Sequence, residues 1–572
     1  MSRVLRSLRT VGMLSAARSV RGDPGCRSTR APRHFHVRMI RLLPAFPRRR
    51  RLPPPRLAAC VAGVLASCTA LAQNPAPVQR FDVMEYQVEG NTVLGTEAIE
   101  RAVYPFMGEG LDINAVEAAR TALEKAYRDG GFGTVSVDIP PQKVEAGIVR
   151  LNVVQGTIAR VRVVGSRYYS QERILELVPG LAEGGVPNLK EVQQQLAAVN
   201  TSADERVTPL LRPGKLPGTT EVDLQVEDQL PLHGSAELNN AHAPNTTSLR
   251  ANASLRYANL FQRGHTIGLQ VQTSPEDTRE VKLFVGTYAM PAAGGTLMLS
   301  AVRSDSTSYV GDGIGVFGNG KVYGAHFVEP LATDRPAEFQ QSLTWGVEYK
   351  ESMQSLALTN GTGIDTPIHY VPFTLNYAAS SVDPHGSTDY GVGLEFAVRD
   401  LDSRQSQFED KRFRAHSNFS LLKFNAARTQ KLPADTSLRV AIDGQLTGDA
   451  LVSNEQYVAG GVDSLRGYLE STATGDIAVR GSIEFRTPNF RPPAARFDLL
   501  QFRTFFDTAW LRTLYPLPGS RASLELSSYG LGVTMTAKPG FTLRGDYAWP
   551  VNSIGAQSAL QPRMQASANY QF

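Results

Sequence analysis

The sequence SLRVAIDGQLT at residues 437–447 alternates apolar and polar side chains from end to end. Successive side chains of a β-strand point to opposite faces, so Leu438 and Ile442 would share one face and Asp443 would lie on the other. An apolar face can meet lipid while the polar face lines a water-filled lumen. The pattern therefore predicts one strand of a transmembrane β-barrel.

The same alternation recurs toward the end of the chain, for example at 477–485 and 541–549. Helical periodicity is largely lacking there, and clusters of Gly, Asn, Asp, Ser and Pro separate the segments. About 340 residues, at roughly 20 for each strand with its connections, give 16 or 17 strands, and single-chain bacterial barrels prefer even numbers. We therefore predict a barrel of about 16 antiparallel strands over residues 230–572.

The last alternating segment ends in the aromatic residues Tyr570 and Phe572. A barrel has to pair its last strand with its first, because an open edge would leave backbone groups unpaired. This ending also resembles the C-terminal signal by which the barrel assembly machinery recognises outer-membrane proteins. We expect these two residues to close the barrel and to serve in its assembly.

The positive charge of the chain is concentrated at its N-terminus. Residues 1–56 contain fifteen Arg, no Lys and one acidic residue, a net charge of +14, and residues 57–72 carry no charge. The whole chain has a net charge of +5, which leaves −9 for residues 73–572. An acidic mature chain argues against nucleic acid as a partner.

Residues 1–72 have the features of an export signal. A basic region precedes an apolar run, and Ala70 and Ala72 form a small-residue cleavage site. Residues 1–38 are rich in Arg and lack an apolar run, so we expect translation to start at Met39 and the first 38 residues to be a mis-assigned extension. The alternative is one long basic region at the start of the signal. A further alternative is lipidation at Cys68, because Leu-Ala-Ser-Cys looks like the cleavage box of bacterial lipoproteins.

Two consecutive segments, residues 83–156 and 157–229, show the same order of elements: strand, helix, helix, strand, strand. In the second segment Asn188, with a Glu three residues later, marks a helix start, and apolar residues recur at helical spacing as far as Val199. We predict two small α+β modules in front of the barrel, preceded by a short linker at 73–82. A single irregular α+β domain is the alternative.

Residues 460–468, GGVDSLRGY, belong to a long loop within the barrel half. Two small modules and a barrel with this loop resemble the TpsB transporters of two-partner secretion, the ShlB/FhaC/HecB family, over residues 81–572. The resemblance identifies the modules as POTRA-like domains in the periplasm and implies an outer-membrane translocator. The most specific element is the loop tip, Leu465, Arg466, Gly467 and Tyr468, although the family usually has Val or Ile at the first of these positions.

In that family the loop folds back into the pore, and its arginine pairs with the aspartate of an F-x-D motif on a later strand. Phe505 and Asp507 match the motif, so the resemblance implies a salt bridge between Arg466 and Asp507. An arginine inside a partly desolvated lumen needs a carboxylate, and a bidentate pair fixes its orientation. Arg480 and Glu484 also face inward by alternation and are candidates to extend the network. The alternative is that Arg466 lies in an ordinary extracellular turn.

Two departures from the family pattern bear on function. Residues 257–264, YANLFQRG, resemble the family's N-L-F-G-x-G turn, with Gln262 in place of a glycine. Many members also carry an N-terminal helix that plugs the pore, whereas only about ten residues follow the predicted cleavage site before the first module. We expect no helical plug and predict that the loop around Arg466 restricts the lumen at rest.

The resemblance implies that the partner is an unfolded TpsA-type secreted protein of haemolysin, adhesin or haemagglutinin type, without indicating which. A module can capture such a client by β-augmentation, in which an extended segment pairs with an exposed strand edge. The candidate edges are 134–139 and 207–211. Their candidate client-binding residues are Thr134, Val135, Val137, Ile139, Val207 and Leu210.

No motif points to catalysis, since the sequence lacks G-x-S-x-G and H-E-x-x-H. We expect no enzyme activity, no metal and no cofactor. All three cysteines lie at or before Cys68, so the mature chain would have none for a disulfide. We expect a monomer in contact with outer-membrane lipid. A BamA/TamA-type assembly factor and a solute channel or receptor remain as alternative functions.

Overall fold

The computed structural model describes residues 80–572 except 309–316, 336–337, 358–362, 492–496, 538–539 and 556. The predicted cleavage residues Ala70 and Ala72 lie outside the described residues. Within the described part, no helix is long and apolar enough to cross a membrane.

The first module is a small α+β unit. Its elements are β1 (Phe81–Val83), β2 (Glu85–Glu89), α1 (Thr96–Val103), a 3-10 turn (Tyr104–Phe106), β3 (Gly108–Leu111), α2 (Ile113–Asp129), β4 (Val135–Asp138) and β5 (Ile148–Gln155). Strand β5 lies between parallel β2 and antiparallel β4. Helix α2 begins where the Asp112 carboxylate accepts a hydrogen bond from the Ala115 N–H, and it buries Leu123 and Tyr127 against the sheet.

The second module repeats this sheet arrangement. Its elements are β6 (Thr157–Val164), α3 (Gln171–Leu177), a 3-10 turn (Pro179–Leu181), α4 (Leu189–Val199), β7 (Glu205–Pro213) and β8 (Thr219–Asp228). Strand β8 lies between parallel β6 and antiparallel β7. The side chain of Ser170 caps α3 and that of Asn188 caps α4. A core of its own, which includes Ile174, Leu196 and Leu224, packs between the helices and the sheet.

The remaining strands form one closed antiparallel barrel. Its segments are β9 (Leu232–Asn239), β10 (Arg250–Leu260), β11 (His265–Thr273), β12 (Lys282–Ala292), β13 (Gly295–Ser308), β14 (Phe317–Pro330), β15 (Phe339–Ala357), β16 (Gly363–Tyr370), β17 (Pro372–Asp383), β18 (Gly386–Ala397), β19 (Ser420–Lys431), β20 (Ser437–Thr447), β23 (Ile477–Arg486), β24 (Leu499–Arg512), β25 (Ser523–Ala537), β26 (Phe541–Pro550) and β27 (Arg563–Gln571). Helix α5 (Gln405–Lys411) and a short hairpin of β21 (Tyr457–Ala459) and β22 (Ala473–Gly475) are not strands of the barrel wall.

The barrel has sixteen strands, as predicted from its length. Segments β16 and β17 are separated by Val371 alone and pair with successive parts of the same long strand, β15. They therefore count as one interrupted strand of the wall. The interruption itself had no counterpart in the sequence prediction.

The two faces of the wall differ as the alternation predicted. In β20, Val440 and Ile442 are each 45% exposed, whereas Ala441 and Gln445 on the other face are buried. Apolar side chains cover the outer surface, which suits a bilayer, and polar side chains face the lumen.

The barrel closes between β27 and β9 through five residue pairs, against eight between β9 and β10. The terminal residue lengthens this seam, because Phe572 and Gly234 each donate a backbone N–H to the other's carbonyl oxygen at 3.1 Å. The Phe572 ring covers Gly234, where a Cβ atom would come within 2.4 Å of the ring. Tyr570 pairs with Ala236 in the same seam. The aromatic ending is thus part of the closing contact.

Candidate functional site

The loop between β20 and β23, residues 448–476, is called the pore loop here because it lies against the inner wall of the barrel. Leu465 and Tyr468 of its tip are fully buried and pack with Ala509 of β24 and Leu526 of β25. The tip is therefore not an extracellular turn, which was the alternative left open by the sequence.

Arg466 contacts two carboxylates on neighbouring strands. Its Nε and Nη2 donate to the two carboxylate oxygens of Asp507 at 2.8 Å each, and its Nη1 donates to Glu484. The guanidinium carbon lies 3.5 Å from the centre of the Phe505 ring. The F-x-D segment thus supplies a bidentate carboxylate and an aromatic face to one cation. All these groups are buried, so solvent screens their interaction only weakly.

The rest of the tip is fixed through backbone groups. Gly467 adopts φ +90°, and its N–H donates to the Gln565 side chain at 3.1 Å. A Cβ atom there would lie 3.0 Å from that of Ala548, so both the conformation and the close approach require glycine. The Tyr468 hydroxyl donates to the carbonyl oxygen of Ser527 at 3.0 Å.

The two candidates for a wider network have different roles. Glu484 joins Arg466 directly, as described above. Arg480 pairs instead with Asp443 at 2.6 Å, and its Nη1 donates to the carbonyl oxygen of Ser464 at 2.9 Å. Arg480 therefore holds the backbone just before the tip and is not part of the Arg466 ion pair.

A second group of buried charges, called the Lys350 cluster, holds the start of the pore loop to another part of the wall. Glu455 of the loop accepts hydrogen bonds from Lys350 Nζ at 2.9 Å and from the Tyr370 hydroxyl at 2.6 Å. Lys350 also pairs with Glu395 at 2.8 Å and with Glu348 at 3.2 Å. Charges within a membrane-spanning structure are tolerated when they are paired. The cluster therefore gives the loop a second attachment.

The end of the pore loop is joined to two other loops at the barrel end remote from the modules. Asp476 is fully buried and accepts from Nη1 and Nη2 of Arg412 at 2.5 and 2.6 Å. It also accepts from the backbone N–H of Leu514 at 2.6 Å. Arg412 directly follows α5, so one carboxylate connects three loops.

The lumen is not filled completely. A cavity of about 1190 Å³ lies beside the pore loop, and its lining residues come mainly from β9 to β19, whereas the tip packs against β23 to β27. Arg256, Ser300 and Asn376 line the cavity, and Glu455 of the Lys350 cluster borders it. The pore loop and the open space thus occupy different sides of the lumen.

The predicted capture strands both lie at sheet edges, since β4 pairs only with β5 and β7 only with β8 among the described strands. The backbone N–H groups on the open side of β4, however, already donate hydrogen bonds within the module. Val137 donates to Glu124 at 3.1 Å, and Val135 donates to the carbonyl oxygen of Phe132 at 3.3 Å. The side chain of Val137 lies in the module core. This edge therefore offers little to an incoming strand.

The residues that flank β4 are also engaged within the module. The Thr134 hydroxyl donates to the carbonyl oxygen of Gly156 at 3.2 Å, and Ile139 packs against the core. Neither side chain is presented as an open binding surface.

Strand β7 is a poor edge for strand addition as well. The Asn200 side chain accepts from the Val207 N–H at 2.7 Å and donates to the Val207 carbonyl oxygen at 3.0 Å. By alternation Pro209 and Pro213 occupy outward backbone positions of the same edge, and proline has no N–H to donate. Leu210 is 39% exposed, so its contribution to a client would come from the side chain.

Sequence reasoning missed Lys350, Glu395 and Glu455, which carry the second attachment of the loop. By alternation Lys350 and Glu395 fall on the lumenal faces of their strands, and these two opposite charges were a signal that could have been used. Only the strand register, which sequence does not fix, shows that they meet.

Comparison with known proteins gives two family matches. The model described as POTRA domain, ShlB-type, matches residues 81–156. The model described as haemolysin secretion/activation protein ShlB/FhaC/HecB matches residues 218–535, more than half of the chain.

Curated relatives are more distant. The outer membrane transporter CdiB of Escherichia coli O6:K15:H31 (strain 536 / UPEC) is 28% identical over 180 residues, 31% of this chain and 30% of that protein. The chain thus aligns with under a third of that relative. The heme/hemopexin transporter protein HuxB of Haemophilus influenzae (strain ATCC 51907 / DSM 11121 / KW20 / Rd) is 17% identical over 489 residues, 83% of this chain and 84% of that protein.

Two solved structures share the fold. CdiB from Escherichia coli matches with a TM-score of 0.60 at 17% identity, covering 89% of this chain and 93% of that one. BamA from Haemophilus ducreyi lacking POTRA domains 1–3 matches with a TM-score of 0.52 at 14% identity, covering 86% and 100%. At these identities the likeness concerns the fold alone.

Proposed function

Because the chain belongs to the haemolysin secretion/activation protein ShlB/FhaC/HecB family, whose relatives are outer-membrane transporters, we propose that it exports an unfolded TpsA-type exoprotein. The observation that carries the proposal is the pore loop, which is attached inside the barrel at Arg466 and at Glu455 beside an open cavity. A haemolysin, adhesin or haemagglutinin type of cargo fits this arrangement equally well.

The cavity beside the pore loop is the path available to a client. It lies on the side of the lumen lined mainly by β9 to β19, where Arg256, Ser300 and Asn376 contribute polar groups. Glu455 of the pore loop borders this space, so movement of the loop would widen the path for an extended chain.

Transport by this route needs no nucleotide. The periplasmic modules hold the client, the barrel passes it, and folding outside the cell prevents its return. Since the backbone edges of β4 and β7 are largely occupied, we propose that the second module contributes exposed apolar side chains. Leu210 and Leu211 of β7, 39% and 43% exposed, are the candidates.

Secretion of the exoprotein encoded beside this gene tests the proposal. Three strains are compared: the parent, a deletion of this gene, and Arg466→Ala, with the exoprotein measured in the medium and in the periplasm. We expect the deletion to remove the exoprotein from the medium and Arg466→Ala to reduce it. Unchanged secretion together with depleted outer-membrane barrels would contradict export and support an assembly factor instead.

A further inference from the structure

The turn between β10 and β11, residues 261–264, touches the second module. Its Gln262 side chain makes two hydrogen bonds with the segment just before α3. Nε2 donates to the carbonyl oxygen of Tyr168 at 3.0 Å, and Oε1 accepts from the backbone N–H of Ser170 at 2.9 Å. One amide of the barrel therefore satisfies a donor and an acceptor of the module.

This contact is made from a strained backbone. Asn259, Phe261 and Gln262 have φ of +62°, +60° and +58°, in the left-handed region that favours glycine. The family motif that this turn resembles has glycine where Gln262 stands. Residues other than glycine persist in such conformations when surrounding contacts fix them, and an observed outlier is a reason to look for a role. The interaction with the second module is such a contact.

The turn and the module are each held ready for the contact. At the end of β10, the Asn259 side chain donates to Gln262 Oε1 at 2.8 Å and accepts from the Gly264 N–H at 3.2 Å. In the module, one carboxylate oxygen of Asp228 accepts the backbone N–H groups of residues 167–169 at 2.7 to 3.1 Å. Both partners are therefore positioned before they meet, which reduces the entropy lost in the contact.

Charged groups stiffen the same side of the module. Arg173 of α3 lies 5.0 Å from the centre of the Tyr169 ring and pairs with Glu205 at 3.1 Å. Burial raises the pKa of the Glu205 carboxyl, and the neighbouring Arg173 opposes that shift. The segment that Gln262 contacts is thus anchored to the core of the module from two sides.

A second side-chain interaction of the module with the barrel rim involves Asp204. His233 Nε2 lies 2.8 Å from the Asp204 carboxylate. Gln229 in the covalent connection donates its N–H to the Asp204 carbonyl oxygen at 2.9 Å, so this contact is close to the connection itself. The His233–Asp204 contact and the covalent connection therefore involve the same stretch of chain, whereas the turn at Gln262 contacts the module at a separate place.

We propose that Gln262 is a positioning residue that locks the second module to the barrel rim. Without its two hydrogen bonds the module turns about its covalent connection and the Asp204 contact. With them, it keeps one orientation over the entrance to the lumen. The consequence for a client rests on the proposed function, whereas the lock itself does not.

Distance measurements between two spin labels test the lock in the full-length protein. Residues 69–572 contain no cysteine, so labels can be placed at Glu176→Cys in α3 and Ala293→Cys in the turn between β12 and β13, both exposed. Gln262→Gly removes the amide and relieves the backbone strain. Ala434→Gly is the matched control, because it relieves a left-handed residue, φ +60°, in the turn between β19 and β20.

We expect a narrow distance distribution in the parent and in Ala434→Gly, and one at least double in width in Gln262→Gly. A Gln262→Gly distribution as narrow as that of the parent would overturn the proposal. Exoprotein secretion is measured on the same variants, and we expect Gln262→Gly to reduce it severalfold. If the parent secretes no exoprotein and Gln262→Gly still broadens the distance distribution, the positioning role of Gln262 is supported and the proposed export function is rejected.

Discussion

Arg466→Ala should raise the resting ion conductance of the pore severalfold in planar bilayers. The substitution removes the bidentate pair with Asp507, the contact with Glu484 and the stacking on Phe505. Removing one partner of a buried ion pair costs about 3–5 kcal/mol, because the other charge stays buried without compensation. Here two carboxylates would be left facing each other. The tip should leave the wall, and the lumen should widen.

Two further variants test whether the rise in conductance is specific to the loss of the Arg466 ion pair. Arg466→Lys keeps the positive charge but cannot form the bidentate pair, so we expect a conductance closer to that of Arg466→Ala than to that of the parent. Arg256→Ala removes an arginine from the open side of the lumen and controls for the loss of one lumenal charge. A conductance of Arg466→Ala no greater than that of the parent would show that this loop does not restrict the pore.

Lys350→Met should lower the stability of the folded barrel by about 3–5 kcal/mol. Lys350 is the cation shared by Glu348, Glu395 and Glu455. Its loss removes the ion-pair partner of the buried Glu455, whereas Glu395 still pairs with Lys423 at 2.8 Å and Glu348 still lies 3.3 Å from His326. The measurement is the temperature at which the purified barrel loses its compact form in semi-native electrophoresis. We expect a clear decrease, together with a less firmly held pore loop.

A double-mutant comparison separates the cluster from general effects of the substitution. Adding Glu455→Gln to Lys350→Met removes the charge left without an ion-pair partner, so the double variant should recover part of the loss. Lys321→Met on neighbouring β14 is the control, since Lys321 is 43% exposed and its pair with Glu351 at 3.5 Å is solvated. Equal effects of Lys350→Met and Lys321→Met would contradict the structural role of the cluster.

The sequence predicted the barrel well because its signals are local. Alternation along β20 assigns Val440 to lipid and Gln445 to the lumen without knowledge of any neighbouring strand. The strand number followed from length and the even-number preference. The interruption at Val371 could not be foreseen, because it depends on how two segments share β15.

The functional contacts were harder to predict from the sequence. The Arg466–Asp507 pair was expected only from the family resemblance, since 41 residues separate its members. The Lys350 cluster joins residues up to 105 positions apart and has no motif. The edge position of β7 was expected from the sequence. The hydrogen bonds of Asn200 to this edge are a tertiary contact that the sequence does not show. Only the two prolines in the strand indicated that the edge is a poor site for strand addition.

The most direct test of the central claim is to trap the exoprotein inside the barrel. Asn376 and Leu375 are adjacent on β17, but Asn376 lines the lumenal cavity whereas Leu375 is exposed on the outer face. Cysteine is introduced at each position in turn, and disulfide crosslinking to a stalled, cysteine-bearing exoprotein is measured in cells. Export through the lumen predicts adducts with Asn376→Cys and none with Leu375→Cys. Adducts at neither position, or equal adducts at both, would contradict passage through this pore.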